Sequence, residues 1–220
     1  MEQVLFLILG TFDVLVTLSL IFIMFRWPFF SYIKECILIA LLCSIESFIT
    51  RMVLHIPEWD MVGQFTIIVL SLRFIIKVNP YHSLTLALVG TLAYSEFVII
   101  VFMLLDSLGI VTSNVAMQSS GLGIFTFQFI CECTGALISF LIYKFNLGFS
   151  YVAVPPHERI RKLTKREKIT LTFHSIAVLL LTSVMFWIIN FGGVGYKVVL
   201  VGLLTLVAVL YLAYKEEYRL

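Results

Sequence analysis

Seven apolar runs of spanning length, at approximately 4–25, 34–55, 61–77, 82–105, 120–143, 170–190 and 196–214, take up most of the chain. A helix needs roughly 20 mostly apolar residues to cross a bilayer, and inside lipid an open strand would leave its backbone polar groups without partners. The runs predict an all-α, polytopic membrane helix bundle of seven spans, one transmembrane domain over 1–214 with the start of a tail at 215–220. With 61% hydrophobic and 13% charged residues and a mean hydropathy of +1.07, the chain is too apolar for a soluble shell. The 220 residues then leave only short loops. That excludes a soluble kinase or ATPase module, a nucleic-acid fold and a secreted disulfide framework. Turn and charge signals at Arg26-Trp27-Pro28, Ile56-Pro57-Glu58, Asn79-Pro80, Asp106-Ser107 and Gly192-Gly193 separate the runs.

Orientation follows from the basic residues. With the N-terminus outside, the loops at 26–34, 77–82 and 144–168 and the tail lie inside and hold 12 of the 15 Lys and Arg residues. Arg51 and Lys197 fall outside and Arg73 within the short third span. Twelve against two is decisive under the positive-inside rule and supports an odd number of crossings. The C-terminus is therefore expected in the cytoplasm. Met1-Glu2-Gln3 has no positive n-region and no A-x-A-like site follows, so the first run reads as a retained helix. The loop at 144–169, with Pro155-Pro156 and a dense basic stretch from His157 to Lys168, reads as a topology anchor on anionic headgroups. A cytoplasmic docking helix is the alternative.

Four acids fall within the spans: Asp13, Glu46, Glu96 and Glu132. An ionised side chain at mid-bilayer costs about 2.5–3.5 kcal/mol even on insertion scales, so such residues face the bundle interior and pair or stay protonated. Only Arg51, toward the outer end of the second span, and Arg73 are available as cations to pair with them. One charge sign in excess favours a shared polar cavity, with Thr50, Gln64, Ser95 and Gln128 supplying hydrogen bonds. The competing reading is a set of separate helix-to-helix pins.

Other chemistry is thinly represented. Cys36 and His82 both begin spans at the inner face, and a thiol beside an imidazole is the minimum for a membrane cysteine peptidase. His55 and His174 have no partner at metal-ligand spacing, and Cys131-x-Cys133 turns its sulfurs about 200° apart on a helix. No metal, no cofactor and no nucleic-acid partner is expected.

Several features together resemble the N-terminal membrane sensor of the AgrC-like, GHKL-type histidine kinases, through which Firmicutes read secreted peptides. These are the N-out seven-span layout, Ala93-Tyr94-Ser95-Glu96-Phe97, the segment Lys144-Phe145-Asn146-Leu147-Gly148-Phe149-Ser150-Tyr151, and a basic loop followed by two spans and a charged tail. Such a kinase continues into a phosphoacceptor helix and an ATP-binding domain. This chain ends at Leu220, so the kinase residues have no matching positions. The membrane peptidase of the same signalling systems has a closely spaced His and Cys pair, and no cysteine follows His82 before Cys131.

The resemblance implies a homodimeric receptor in the bacterial plasma membrane. It would bind a secreted peptide or small amphiphile near the 106–120 loop and the Pro57-to-Asp60 turn, and signal through its last helix without turnover of its own. Asp13, Glu46, Arg51, Glu96, Gln128 and Glu132 are the expected ligand-binding or coupling residues. The rival is a transporter or transporter subunit in which Asp13, Glu46, Glu96 and Glu132 carry protons or cations.

Overall fold

The computed structural model describes residues 2–111, 121–155 and 196–218, with scattered positions between 168 and 183. Most of the sixth apolar run, the His157–Lys168 stretch apart from Lys168, and residues 112–120 lie outside them. Among the described residues the chain is all-α, with helices α1 (Glu2–Met24), α2 (Ile33–Phe48), α3 (Asp60–Phe74), α4 (Pro80–Ser107), α5 (Leu122–Lys144) and α6 (Tyr196–Tyr218). A 3-10 turn at Phe29–Tyr32 leads into α2 and a π turn at Ile49–Val53 prolongs it, making one apolar helical stretch over Phe29–Val53. That stretch, α1, α4 and α5 run 23 to 28 residues and are long and apolar enough to cross a bilayer. Helix α6 is 23 residues long, with an apolar stretch over Val199–Lys215. The 15 residues of α3 reach only about 22 Å, short of the roughly 30 Å hydrocarbon core.

Both faces of α2 are apolar. Ile37, Leu38, Leu41, Leu42 and Ile45 recur on an exposed face, while Cys36, Ile39, Ala40 and Cys43 on the other are fully buried. In water so continuous an apolar belt would aggregate; against lipid it is the ordinary surface of a span. The chain is a multi-pass membrane protein.

Helices α1 to α4 form a ring in which α1 and α3 each pack against both α2 and α4. On this ring α5 docks against α1 and α4, and α6 against α4. Leu18, Ile21, Phe22, Leu72, Leu88 and Leu92 fill its centre and are almost wholly buried. Lipid tails are as apolar as leucine, so close packing and polar links hold such helices together. Ser44 donates to the Leu7 carbonyl at 2.9 Å between α2 and α1, and Ser19 shares a 2.9 Å hydrogen bond with Ser139 between α1 and α5.

The chain breaks that close α1, α3 and α5 collect at one end of the bundle, the basic end. Each has a non-glycine residue in the left-handed region: Arg26 (φ 54°), Lys77 (φ 67°) and Asn146 (φ 51°). That conformation costs about 1 kcal/mol for an L-residue, offset by capping bonds to orphan carbonyls such as Trp27 N–H to Phe22 at 2.8 Å and Leu147 N–H to Ile142 at 3.0 Å. Cations here also complement the negative helix C-termini. Asn79 then starts α4 by accepting from the Tyr81 N–H, with Pro80 in the first turn.

The segment after α5 is described as far as Pro155, and the basic stretch expected to rest on headgroups lies outside the described residues apart from Lys168. Residues 145–155 fold back across the basic end as a strap. Phe149 N–H donates to the Met24 carbonyl at 2.7 Å, Trp27 Nε1 to Val152 at 3.0 Å and Tyr32 Oη to Pro155 at 2.9 Å. Gly148 (φ 132°) lies so close to the Met24 carbonyl that a Cβ would stand 2.5 Å from its oxygen. Phe25 packs on Phe149 and Tyr151, and His82 on Tyr151. These bonds satisfy carbonyls and amides that a loop lying on headgroups would leave to water.

Candidate functional site

A cavity of about 280 Å³ opens at the end opposite the strap. Every element around it contributes a polar group: Asp13 from α1, Asp60 and Gln64 from α3, Tyr94 and Ser95 from α4, and Gln128 from α5, with Arg51 from the π turn at the rim. Val98, Ile99, Phe102, Ile124 and Phe127 form its apolar wall. Phe102 and Phe127 meet edge to face at 5.7 Å. The spacing of these residues explains the wall. Positions 94, 95, 98, 99 and 102 share one face of α4, and positions 124, 127, 128 and 131 share one face of α5.

Two polar links organise the cavity. Tyr94 Oη donates to Asp13 Oδ1, joining α4 to α1. Arg51 donates from Nε (2.6 Å) and Nη2 (2.5 Å) to Asp60 Oδ2, and Gln64 Nε2 donates to Asp60 Oδ1 at 3.1 Å. Asp60 is 2% exposed and stands in the first turn of α3, where the positive helix end favours a carboxylate. The π turn carries Arg51 toward it, a use of extra helical residues common at functional sites.

A smaller space of about 60 Å³ continues beneath Asp13, bordered by Thr17, Gln64 and Thr91. Both threonine hydroxyls are engaged by their own helices, at Asp13 O and Ala87 O. Below them the apolar centre of the ring closes toward the basic end.

Asp13, Arg51 and Gln128 are brought together as the sequence suggested, with Gln64 and Ser95 beside them. Glu46, Glu96 and Glu132 are not among the residues lining the cavity. Of the four acids expected to share one space, Asp13 lines this cavity. Helical phase is the reason: consecutive residues point about 100° apart, so Tyr94 and Ser95 take the cavity side and Glu96 turns away. Glu46 lies at the contact of α2 with α3, where a Cβ on Gly63 would overlap its carboxyl. Glu96, 2% exposed, lies against Gly202 of α6 in the same way. Glu132, 7% exposed, stays within electrostatic range of Asp13 one turn below Gln128. Each of the three glutamates keeps one buried carboxyl oxygen without a hydrogen-bond partner among the described residues.

Neither intramembrane cation pairs with the four acids. Arg51 takes Asp60, and Arg73 turns to the basic end and donates to the Val78 carbonyl at 3.0 Å. Asp60 and Tyr94 were not singled out as site residues by sequence. Asp60, nine positions beyond Arg51 across the Pro57 turn, was the available signal.

Cys36 is wholly buried in the apolar core, whereas His82 packs against Tyr81 and Tyr151. They sit on α2 and α4, diagonal in the ring. Among the described residues no group of three His, Cys, Asp or Glu side chains could hold a metal ion.

At the basic end, α6 meets the strap through Glu217. Its carboxylate accepts from Ser150 N–H (2.6 Å), Ser150 Oγ (2.5 Å) and Tyr151 N–H (2.8 Å). Burial alone would raise its pKa, but these donors and the nearby Arg26 guanidinium outweigh burial and hold it below the ordinary value of 4.5. Helix α4 thus touches the cavity on one face and α6 on another, and α6 ends in the strap. Comparison with protein-family models, with curated proteins and with solved structures finds no match to this chain.

Proposed function

We propose that the chain is a membrane sensor domain of the kind it resembles in AgrC-like kinases, homodimeric and resident in the bacterial plasma membrane. The basic end lies in the cytoplasm, as the twelve-to-two distribution of Lys and Arg favours. A small extracellular peptide or amphiphile occupies the cavity, and the state of the cavity reaches the cytoplasmic end through α4 and α6. One observation carries this reading: Tyr94 and Ser95 line the cavity while the next residue, Glu96, is seated against Gly202 of the last helix. A small rotation of α4 on ligand binding moves all three residues together, because packed helices shift as units.

The test is a full-chain fusion, through its C-terminus, to a reporter kinase in a bacterial membrane exposed to conditioned medium. Output that responds to medium, and no longer responds in a Ser95→Trp variant that fills the cavity, supports the reading. Equal output with and without medium in both proteins contradicts it.

The transporter reading draws support from the unpartnered carboxyl oxygens of Glu46, Glu96 and Glu132. It is distinguished by proton or cation flux in liposomes that is lost when Glu132 is replaced by Gln.

A further inference from the structure

The polar groups of the cavity that remain unengaged are mostly acceptors. Tyr94 occupies only Oδ1 of Asp13, so Oδ2 has no donor among the described residues. Gln128 Oε1 is buried beside the cavity and also lacks one. Glu58 adds a further carboxylate at the rim. The one cation in the lining, Arg51, has its charge matched by Asp60 at 2.5 Å. Two carboxylates therefore stand in excess of cations among the residues that line the space. An ammonium group presents three donors and no acceptor, and a carboxylate presents the reverse. The rest of the lining is largely apolar and aromatic, with Phe102 and Phe127 packed edge to face. An aromatic face also attracts a cation.

Resting on the receptor reading, we infer that the cavity selects a protonated amine carried on a small apolar or aromatic body. The ammonium pairs with Asp13 and donates to Gln128 Oε1, and the body lies along Val98, Phe102 and Phe127. A carboxylate of the same shape meets Asp13, Asp60 and Glu58 and is repelled. A neutral alcohol fits but supplies one donor where an ammonium supplies three. The space of about 280 Å³ suits a fragment of this kind and not a folded peptide. For a longer ligand it is the terminal amine or a lysine-like side chain that is recognised.

The experiment uses the full chain in nanodiscs of zwitterionic phosphatidylcholine, with empty nanodiscs subtracted. The probes are 3-(4-fluorophenyl)propylamine, the matching alcohol and the matching carboxylate, followed by fluorine NMR line broadening. The amine is expected to bind about tenfold more tightly than the alcohol, as a charge-assisted bond implies, with the carboxylate weakest. Asp13→Asn, which keeps an acceptor for Tyr94, should bring the amine to the level of the alcohol. Gln128→Leu gives a second variant, expected to weaken the amine and spare the alcohol. Ser95→Trp should abolish binding of both. An alcohol or carboxylate that binds as well as the amine, an amine affinity unchanged in both Asp13→Asn and Gln128→Leu, or no binding of any probe overturns the inference. The two readings fail separately. If the amine binds through Asp13 but the fusion never responds to medium, the receptor reading falls and the selectivity stands. If medium drives output while the amine is not preferred, only the selectivity falls.

Discussion

Glu96 of α4 lies over Gly202 of α6, with its carboxyl in the space that a side chain at residue 202 would need. The glycine lets the last helix approach close enough to cover an acid that is 2% exposed. Replacing Gly202 with Ala should push α6 off α4 at a cost of about 1–3 kcal/mol, the usual range for overpacking. The same change in a Glu96→Ala background should cost much less, because the space is then free. Thermal unfolding of the two single variants and the double variant measures the coupling, and strictly additive effects contradict the contact.

The ion pair of Arg51 and Asp60 ties the π turn after α2 to the start of α3. Removing one partner of a fully buried pair costs about 3–5 kcal/mol. Here the Arg51 side chain is 32% exposed, which lowers the expected cost of Arg51→Ala to about 2 kcal/mol. Asp60→Asn should cost less, since the amide oxygen can still accept. Denaturation in mild detergent gives the ranking.

Helix positions were legible in the sequence because hydropathy records which residues can meet lipid. The runs at 4–25, 82–105, 120–143 and 196–214 correspond closely to α1, α4, α5 and α6, and the run at 34–55 to the stretch that contains α2. Which neighbour an intramembrane acid meets was not legible, since that depends on helical phase relative to partners the pattern does not name. Ser95 and Glu96 were both read as cavity residues, and one helical step of about 100° separates their surroundings. The partner of Arg51 was not legible because Asp60 stands at the start of α3, beside a turn, and not among the acids within the spans. The strap was hidden for another reason. Its bonds run from backbone amides and from Trp27 and Tyr32 to backbone carbonyls, and backbone partners leave no compositional mark.

Glu217 should make the junction of α6 with the strap pH-dependent. Its pKa is lowered in the folded protein, so its contribution is fully present above the ordinary value of 4.5. It is lost as pH falls through the lower folded value. Protection of the Ser150 and Tyr151 amides against hydrogen exchange, corrected for intrinsic rates, should fall in that acid range and be low at every pH in Glu217→Ala. One alanine inserted after Lys215 turns Glu217 by about 100° away from the strap and should have the same effect. Protection that is unchanged in both variants argues against the carboxylate as the link.

Topology is testable at described, exposed positions in a background lacking the four cysteines. Ile56→Cys should react with a membrane-impermeant maleimide on intact cells, and Leu147→Cys only after permeabilisation. The reverse pattern would place the cavity on the cytoplasmic side and remove the case for an extracellular ligand.

Coupling of the cavity to the strap through α4 and α6 is what the proposed function requires. Its most direct measurement is the distance between spin labels at Leu147 and Tyr218 of the cysteine-free chain in liposomes, read by pulsed electron resonance. Ser95→Trp fills the cavity from α4, and Ile100→Trp places the same ring on the exposed side of that helix. The Ser95→Trp distribution should shift by about 1–2 Å or split, the scale of helix displacements in switching proteins, while Ile100→Trp leaves it unchanged. Identical distributions in the parent and both tryptophan variants, with all three folded, would contradict coupling between the cavity and the last helix.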